Sequence, residues 1–105
     1  MNVLVHGDSL WCSLDLYKGR NDIRLLGFTG APHHHYRYDP LCESASDVIE
    51  RVSKQWTPEL LLCWYPEVTP PPFAIEECPV QTAAVISDWN LAYALLEKNL
   101  TRFDV

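Results

Sequence analysis

The fold class of this chain follows from the stretch at residues 82–105, which reads TAAVI, SDWN, LAYALLEKNLTR and FDV. The apolar run predicts a buried strand, and the polar segment at 87–90 opens a helical pattern that extends to residue 102. A buried strand, a polar turn and a helix are together the repeating unit of a parallel α/β sheet. Residues 103–105 predict the start of a further strand, so we expect a piece of a larger protein or a degenerate stand-alone copy.

Earlier segments alternate in the same way. Apolar runs predict strands at residues 2–6, 23–28 and 60–65. A loop is predicted over 29–41, and a helical turn at 75–79. We therefore expect one Rossmann-like α/β domain over residues 1–105, with three layers and a parallel sheet of four or five strands. The strand that begins at residue 60 is continuously apolar, which predicts a central, inaccessible position for 60–63.

Two helices are predicted before residue 60. Residues 10–17 show helical spacing of apolar residues, and the pattern at 44–56 is the clearer of the two. Ser44 and Asp47 form the acidic variant of a capping box at its start. The apolar stripe of this second helix is expected to pack on the sheet through Val48, Ile49 and Val52.

Composition excludes several classes of function. The 105 residues carry a formal net charge of -6, which argues against a phosphate-binding surface for nucleic acid. No apolar run approaches the roughly 18–20 residues of a membrane span. The N-terminus lacks the basic region of a signal peptide, so we expect a cytoplasmic protein. The four cysteines form no Cys-x-x-Cys pair and are expected to be scattered free thiols.

Polar and aromatic side chains follow three of the predicted strands. Because the carboxyl ends of parallel strands share one edge of the sheet, these side chains are expected to converge there. Aromatic faces with carboxylates and amides suit a polyhydroxylated ligand. The alternative is that the acids and the asparagine are ordinary turn and cap residues. The catalytic candidates are His6, Asp8 and Asp88, and the substrate-binding candidates are Trp64, Glu67, Asp88, Trp89 and Asn90.

No cofactor or metal is expected from the motifs. The chain has neither of the glycine-rich sequences that cradle phosphates, and Gly7 is followed by an acid that would repel a pyrophosphate. The three histidines at 33–35 are adjacent and lack a further ligand at helical spacing, so an exposed loop is favoured over a metal site. One of them is conceivable as a general base, and the sequence does not select which.

The stretch from residue 56 to residue 105 resembles the N-terminal half of bacterial GT-B glycosyltransferases, especially CgeB-like and family-one-like groups. The matching features are the WTPELLL entry to a strand, the Pro66-Glu67 pair after it, the Cys78-Pro79-Val80 lead-in, and the final strand and helix running into the FDV ending.

This resemblance implies a two-domain enzyme in which the N-terminal half mainly holds the sugar acceptor and the other half holds the nucleotide-sugar donor. The chain contains no donor-phosphate motif, so we expect it to be inactive alone and to meet either sugar only with a second domain. The competing hypothesis is a non-catalytic α/β interaction module that uses exposed aromatics and the loop at Pro70-Pro71-Pro72. Both hypotheses allow a homodimer or a hetero-complex, which the unfinished final strand favours.

Overall fold

Five parallel strands form a single sheet in the computed structural model, which describes residues 1–6, 20–27, 35–64, 71–85 and 102–104. The predicted fold class, a Rossmann-like α/β domain, is confirmed by this sheet and the helix beside it. The helices predicted at 10–17 and after residue 90 lie outside the described residues. The strands are β1 (Val3–His6), β2 (Ile23–Gly27), β3 (Tyr36–Arg37), β4 (Leu60–Trp64) and β5 (Gln81–Val85).

The strand order is β3-β2-β1-β4-β5, and every pairing is parallel. The chain builds outward from β1 to β3 and then crosses back to place β4 on the other side of β1. Such a reversal creates a crevice at the carboxyl ends of the two central strands, where open α/β sheets bind their ligands. In this register His6, the last residue of β1, is paired with Cys63 of β4.

Helix α1 (Ala45–Val52) is shorter than the predicted 44–56 but begins as expected. The Ser44 hydroxyl accepts from the Asp47 N–H and the Asp47 carboxylate accepts from the Ser44 N–H, at 3.2 and 3.0 Å. This reciprocal pair satisfies two backbone donors that a helix start otherwise leaves open. The predicted apolar stripe is confirmed, since Val48, Ile49 and Val52 are each at most 3% exposed.

The core lies between α1 and one face of the sheet. Leu4, Leu26 and Leu61 supply the sheet side and are at most 1% exposed. Ile75, in a short 3₁₀ helix at Ile75–Glu77, closes the same cluster. Burial of these aliphatic side chains is the main favourable term in the stability of a domain this small.

The central position predicted for residues 60–63 is confirmed, because β4 pairs with β1 on one side and with β5 on the other. Inaccessibility holds for Leu61 and Cys63, which face α1, whereas Leu60 and Leu62 are half-buried.

Two predictions of local structure were wrong. The segment predicted as loop contains β3, whose backbone continues the sheet beyond β2. At the other end of the chain, Phe103 and Asp104 were predicted to start a strand, but neither belongs to one. Asp104 instead binds the start of β5: its carboxylate accepts hydrogen bonds from the Thr82 N–H at 2.8 Å and the Thr82 hydroxyl at 3.1 Å. In the ranges that the structure describes, no helix has the length and apolar character needed to cross a membrane.

Candidate functional site at the carboxyl edge

A buried hydrogen bond joins the ends of two strands that are not neighbours in the sheet. The Nε2 atom of His6 lies 2.6 Å from the hydroxyl oxygen of Tyr38, which follows β3. The two rings meet edge to face, with centroids 5.5 Å apart and an interplanar angle of 60°. His6 is fully buried and Tyr38 is 3% exposed, so this contact forms part of the core at the carboxyl edge.

The groups around this pair are held in their neutral forms. Burial, with a further contribution from Cys63, raises the pKa of the Tyr38 phenol to about 12. Burial also raises the pKa of the Cys63 thiol to about 12, with a further contribution from Cys78. A thiol with such a pKa is protonated near neutral pH and is a poor nucleophile. This buried cluster therefore serves as a rigid support for the edge.

The segment after β3 is fixed by its own hydrogen bonds. The Asp39 Oδ1 atom accepts from the Leu41 N–H at 2.9 Å, which closes a turn. The Asp39 N–H donates in turn to Glu43 Oε1 at 2.9 Å. Arg51 of α1 forms an ion pair with the same Glu43 carboxylate, Nε to Oε2, at 3.0 Å. The loop is thus tied to the helix that covers the sheet.

An open cavity of about 440 Å³ lies against this fixed segment. We call it the Arg37 cavity. Among the residues that the structure describes, its lining consists of Arg37, Tyr38, Asp39, Pro40 and Glu43. Its volume is in the range of pockets that hold small polar molecules, and its lining offers a cation, carboxylates and an aromatic residue.

A second depression, of about 400 Å³, shares the lining residues Pro40 and Glu43 with the Arg37 cavity. We call it the Leu41–Phe73 groove, because those two apolar residues line it and are 93% and 72% exposed. Ser44 and Asp47 at the start of α1 also belong to its lining. Large, highly exposed apolar side chains that line one depression are typical of contact surfaces.

Of the residues predicted at the edge, the structure describes His6 and Trp64. They end β1 and β4, the two strands between which the strand order reverses. His6 is directed into the core and bonded to Tyr38, so in this conformation its ring does not meet solvent. The other predicted site residues, Asp8, Glu67, Asp88, Trp89 and Asn90, lie outside the described residues.

The predicted histidine loop is described only at His35, since His33 and His34 lie outside the described residues. The His35 side chain accepts a hydrogen bond from the Leu25 N–H through Nδ1 at 3.0 Å, and the His35 backbone N–H donates to the Leu25 carbonyl at 2.9 Å. The residue therefore continues the pairing between β2 and the start of β3. In the described part of the chain, no three histidine, cysteine or acidic residues are grouped to hold a metal ion.

Sequence reasoning missed the residues of the Arg37 cavity. All of them except Glu43 lie in the segment predicted as loop, and His6 and Tyr38 are 32 positions apart in sequence, so their contact depends on the strand order. The available signal was the alternation at 36–38, where two tyrosines flank an arginine and so place both aromatic rings on one face of a strand.

No protein-family model, no curated protein and no solved structure matches this chain. Its function has to follow from the sequence pattern and from the geometry of the carboxyl edge.

Proposed function

We propose that this chain is the acceptor-side half of a sugar-transferring enzyme of the GT-B type and works in the bacterial cytoplasm. The observation that supports the proposal best is the reversal of strand order between β1 and β4, whose last residues are His6 and Trp64. Open parallel sheets bind ligands at such a point. An aromatic residue at this position is suited to stack on the apolar face of a sugar.

In sugar transfer, an acceptor hydroxyl oxygen bonds to the anomeric carbon of the donor while the bond from that carbon to the leaving phosphate breaks. A base must take the hydroxyl proton. His6 is buried and supports the edge through its bond to Tyr38. Of the predicted catalytic candidates, the carboxylates of Asp8 and Asp88 therefore remain as the base that takes this proton. With no phosphate-binding motif of its own, the chain needs a separate donor-binding half and is expected to bind an acceptor without turning it over.

Binding of a neutral sugar tests the proposal. The ¹⁵N-labelled chain is titrated with glucose and with a glucose disaccharide, and amide shifts are followed at residues 6 and 63–64. Replacement of Trp64 by leucine should weaken binding by about fivefold, because a stacking contact contributes about 1 kcal/mol. Trp56→Leu is the matched control, since Trp56 donates to the Asn21 carbonyl at the opposite edge of the sheet. If no sugar shifts the carboxyl-edge amides, or both variants weaken binding equally, the proposal fails.

A second candidate function, the α/β interaction module, is favoured by the exposure of Leu41 and Phe73. In this alternative the Leu41–Phe73 groove contacts another protein or a second copy of the chain. Light scattering at micromolar concentration separates the two states, because a monomer has a mass of 12.1 kDa. A doubled mass that Leu41→Ser returns to 12.1 kDa, and that the exposed control Gln55→Ser leaves doubled, would support self-association through the groove. A monomer at all concentrations rules out the homodimer.

A further inference from the structure

The Arg37 cavity contains a cation that the fold leaves available. Arg37 is exposed at the end of β3, and its guanidinium makes no ion pair with any residue in the described ranges. An arginine that lines a cavity beside two carboxylates would ordinarily form an ion pair with one of them. Such a pair contributes little stability when both charged groups remain solvated. Here those carboxylates already have other partners.

The fold fixes the two acids in positions that do not depend on Arg37. Glu43 accepts from Arg51 through both carboxylate oxygens, at 3.0 and 3.1 Å, and from the Asp39 N–H. Asp39 is held through Oδ1 by the Leu41 N–H. The Asp39 carboxylate also accepts from the Cys42 thiol, and no cation pairs with it among the described residues. Because a carboxylate has about four acceptor positions, these two bonds leave it able to accept from a hydroxyl group as well.

Two hydrogen bonds, one between Tyr38 and His6 and one to the Arg37 carbonyl, hold the backbone of the cavity in place before a ligand binds. Tyr38, between Arg37 and Asp39 in sequence, is locked by the buried bond to His6. The Arg37 carbonyl oxygen accepts from an Nη atom of Arg51, which anchors the backbone of β3 to α1. A site with a fixed backbone loses little entropy when a ligand binds, and the exposed Arg37 side chain becomes ordered at that step.

We propose that the Arg37 cavity binds an acidic sugar: Arg37 takes the carboxylate, and Asp39 accepts a hydroxyl hydrogen bond from the ring. This inference rests on the proposed function and names the acceptor class. The planar guanidinium matches a carboxylate with two parallel hydrogen bonds, a geometry that lysine cannot reproduce. The volume of about 440 Å³ accommodates one monosaccharide unit. Because the net charge of -6 opposes anions in general, this local cation has to supply the selectivity.

The experiment compares D-glucuronate, D-glucose and inorganic phosphate as ligands of the ¹⁵N-labelled chain. Glucuronate should bind about tenfold more tightly than glucose, because its carboxylate can form charge-assisted hydrogen bonds with Arg37. Its amide shifts should centre on residues 37–43. Arg37→Gln should reduce glucuronate affinity to that of glucose. Lys54→Gln removes the same charge from an exposed position outside the cavity lining and should leave the affinity ratio unchanged.

Each other outcome overturns the inference. Equal affinities for the two sugars, an unchanged ratio in Arg37→Gln, or an equal loss in Lys54→Gln would show that Arg37 does not select the acid. Phosphate that binds as tightly as glucuronate would show a site for a bare anion. In any of these cases, glucose binding that is weakened by Trp64→Leu leaves the proposed function standing. If no saccharide binds at all, both proposals fail together. An unchanged amide spectrum for Arg37→Gln without ligand verifies that the variant is folded.

Discussion

Replacement of Tyr38 by phenylalanine is the sharpest test of the buried pair at the carboxyl edge. The change removes one oxygen atom and keeps the ring, so the edge-to-face contact with His6 and the packing of the core remain. It also removes the partner that lies 2.6 Å from the His6 Nε2 atom. Loss of a partner from a buried polar group costs about 1–3 kcal/mol of the free energy of unfolding.

Urea unfolding measures that loss. With a denaturant slope of about 1.5 kcal/mol per molar urea, typical of small domains, a loss of about 1.5 kcal/mol lowers the midpoint by about 1 M. Tyr36→Phe is the matched control two residues earlier in the chain. Tyr36 is half-buried and its hydroxyl makes no hydrogen bond among the described residues, so its replacement should change stability by less than about 0.5 kcal/mol.

A double-mutant cycle then isolates the pair. His6→Leu alone leaves the Tyr38 hydroxyl without its imidazole partner, whereas the double variant His6→Leu, Tyr38→Phe removes both polar groups. The coupling energy should be about 1–2 kcal/mol. Each single change leaves one buried polar group without its partner and therefore lowers the free energy of unfolding nearly as much as removal of both groups does. Equal midpoints for Tyr38→Phe and Tyr36→Phe, or additive effects of the two changes in the cycle, would refute the reasoning.

Three further predictions concern pH, the start of α1 and the end of the chain. Burial raises the folded-state pKa of Cys63 from 9.0 to about 12, so the folded protein keeps a proton that the unfolded chain loses above pH 9. The free energy of unfolding should therefore fall as pH rises above about 9. Cys63→Ala should flatten that slope by up to about 1.4 kcal/mol per pH unit in urea titrations, and an unchanged slope would contradict the assignment. Ser44→Ala should lower the free energy of unfolding by about 1 kcal/mol, and the exposed control Ser53→Ala should not; equal effects would exclude a specific cap. Asp104→Ala should cost about 1–2 kcal/mol by calorimetry, because the buried Thr82 N–H and hydroxyl lose their acceptor, whereas no loss would mean that solvent replaces it.

The elements that the sequence predicted well are those whose signal is local. The capping pair Ser44 and Asp47 and the apolar stripe of α1 are set by spacing within three or four residues, and the structure reproduces them. The continuously apolar run at 60–63 indicated a strand with neighbours on both sides, which is the position of β4. Local patterns suffice here because each of them reports burial of one face of one element.

Other features were missed because they depend on contacts distant in sequence. β3 is only two residues long, and its position is set by pairing with β2 after a segment rich in turn residues. Asp104 looked like part of a strand because Phe103 and Val105 flank it with strand-forming residues. Its actual role depends on the open N–H at the start of β5, which no pattern near the end of the chain reveals.

The burial of His6 changes where ligand chemistry is expected along the carboxyl edge. His6, at the end of the first strand, was predicted as a catalytic candidate, and the structure directs its ring into the core, where it hydrogen-bonds to the phenol of Tyr38. Tyr38 in turn precedes Asp39, whose turn shapes the Arg37 cavity. The histidine is therefore suited to position residues beyond β3 rather than to exchange protons with a ligand. A loss of glucuronate affinity in Tyr38→Phe without a loss in Tyr36→Phe would show that this support reaches the cavity, because neither change alters a charged group of its lining.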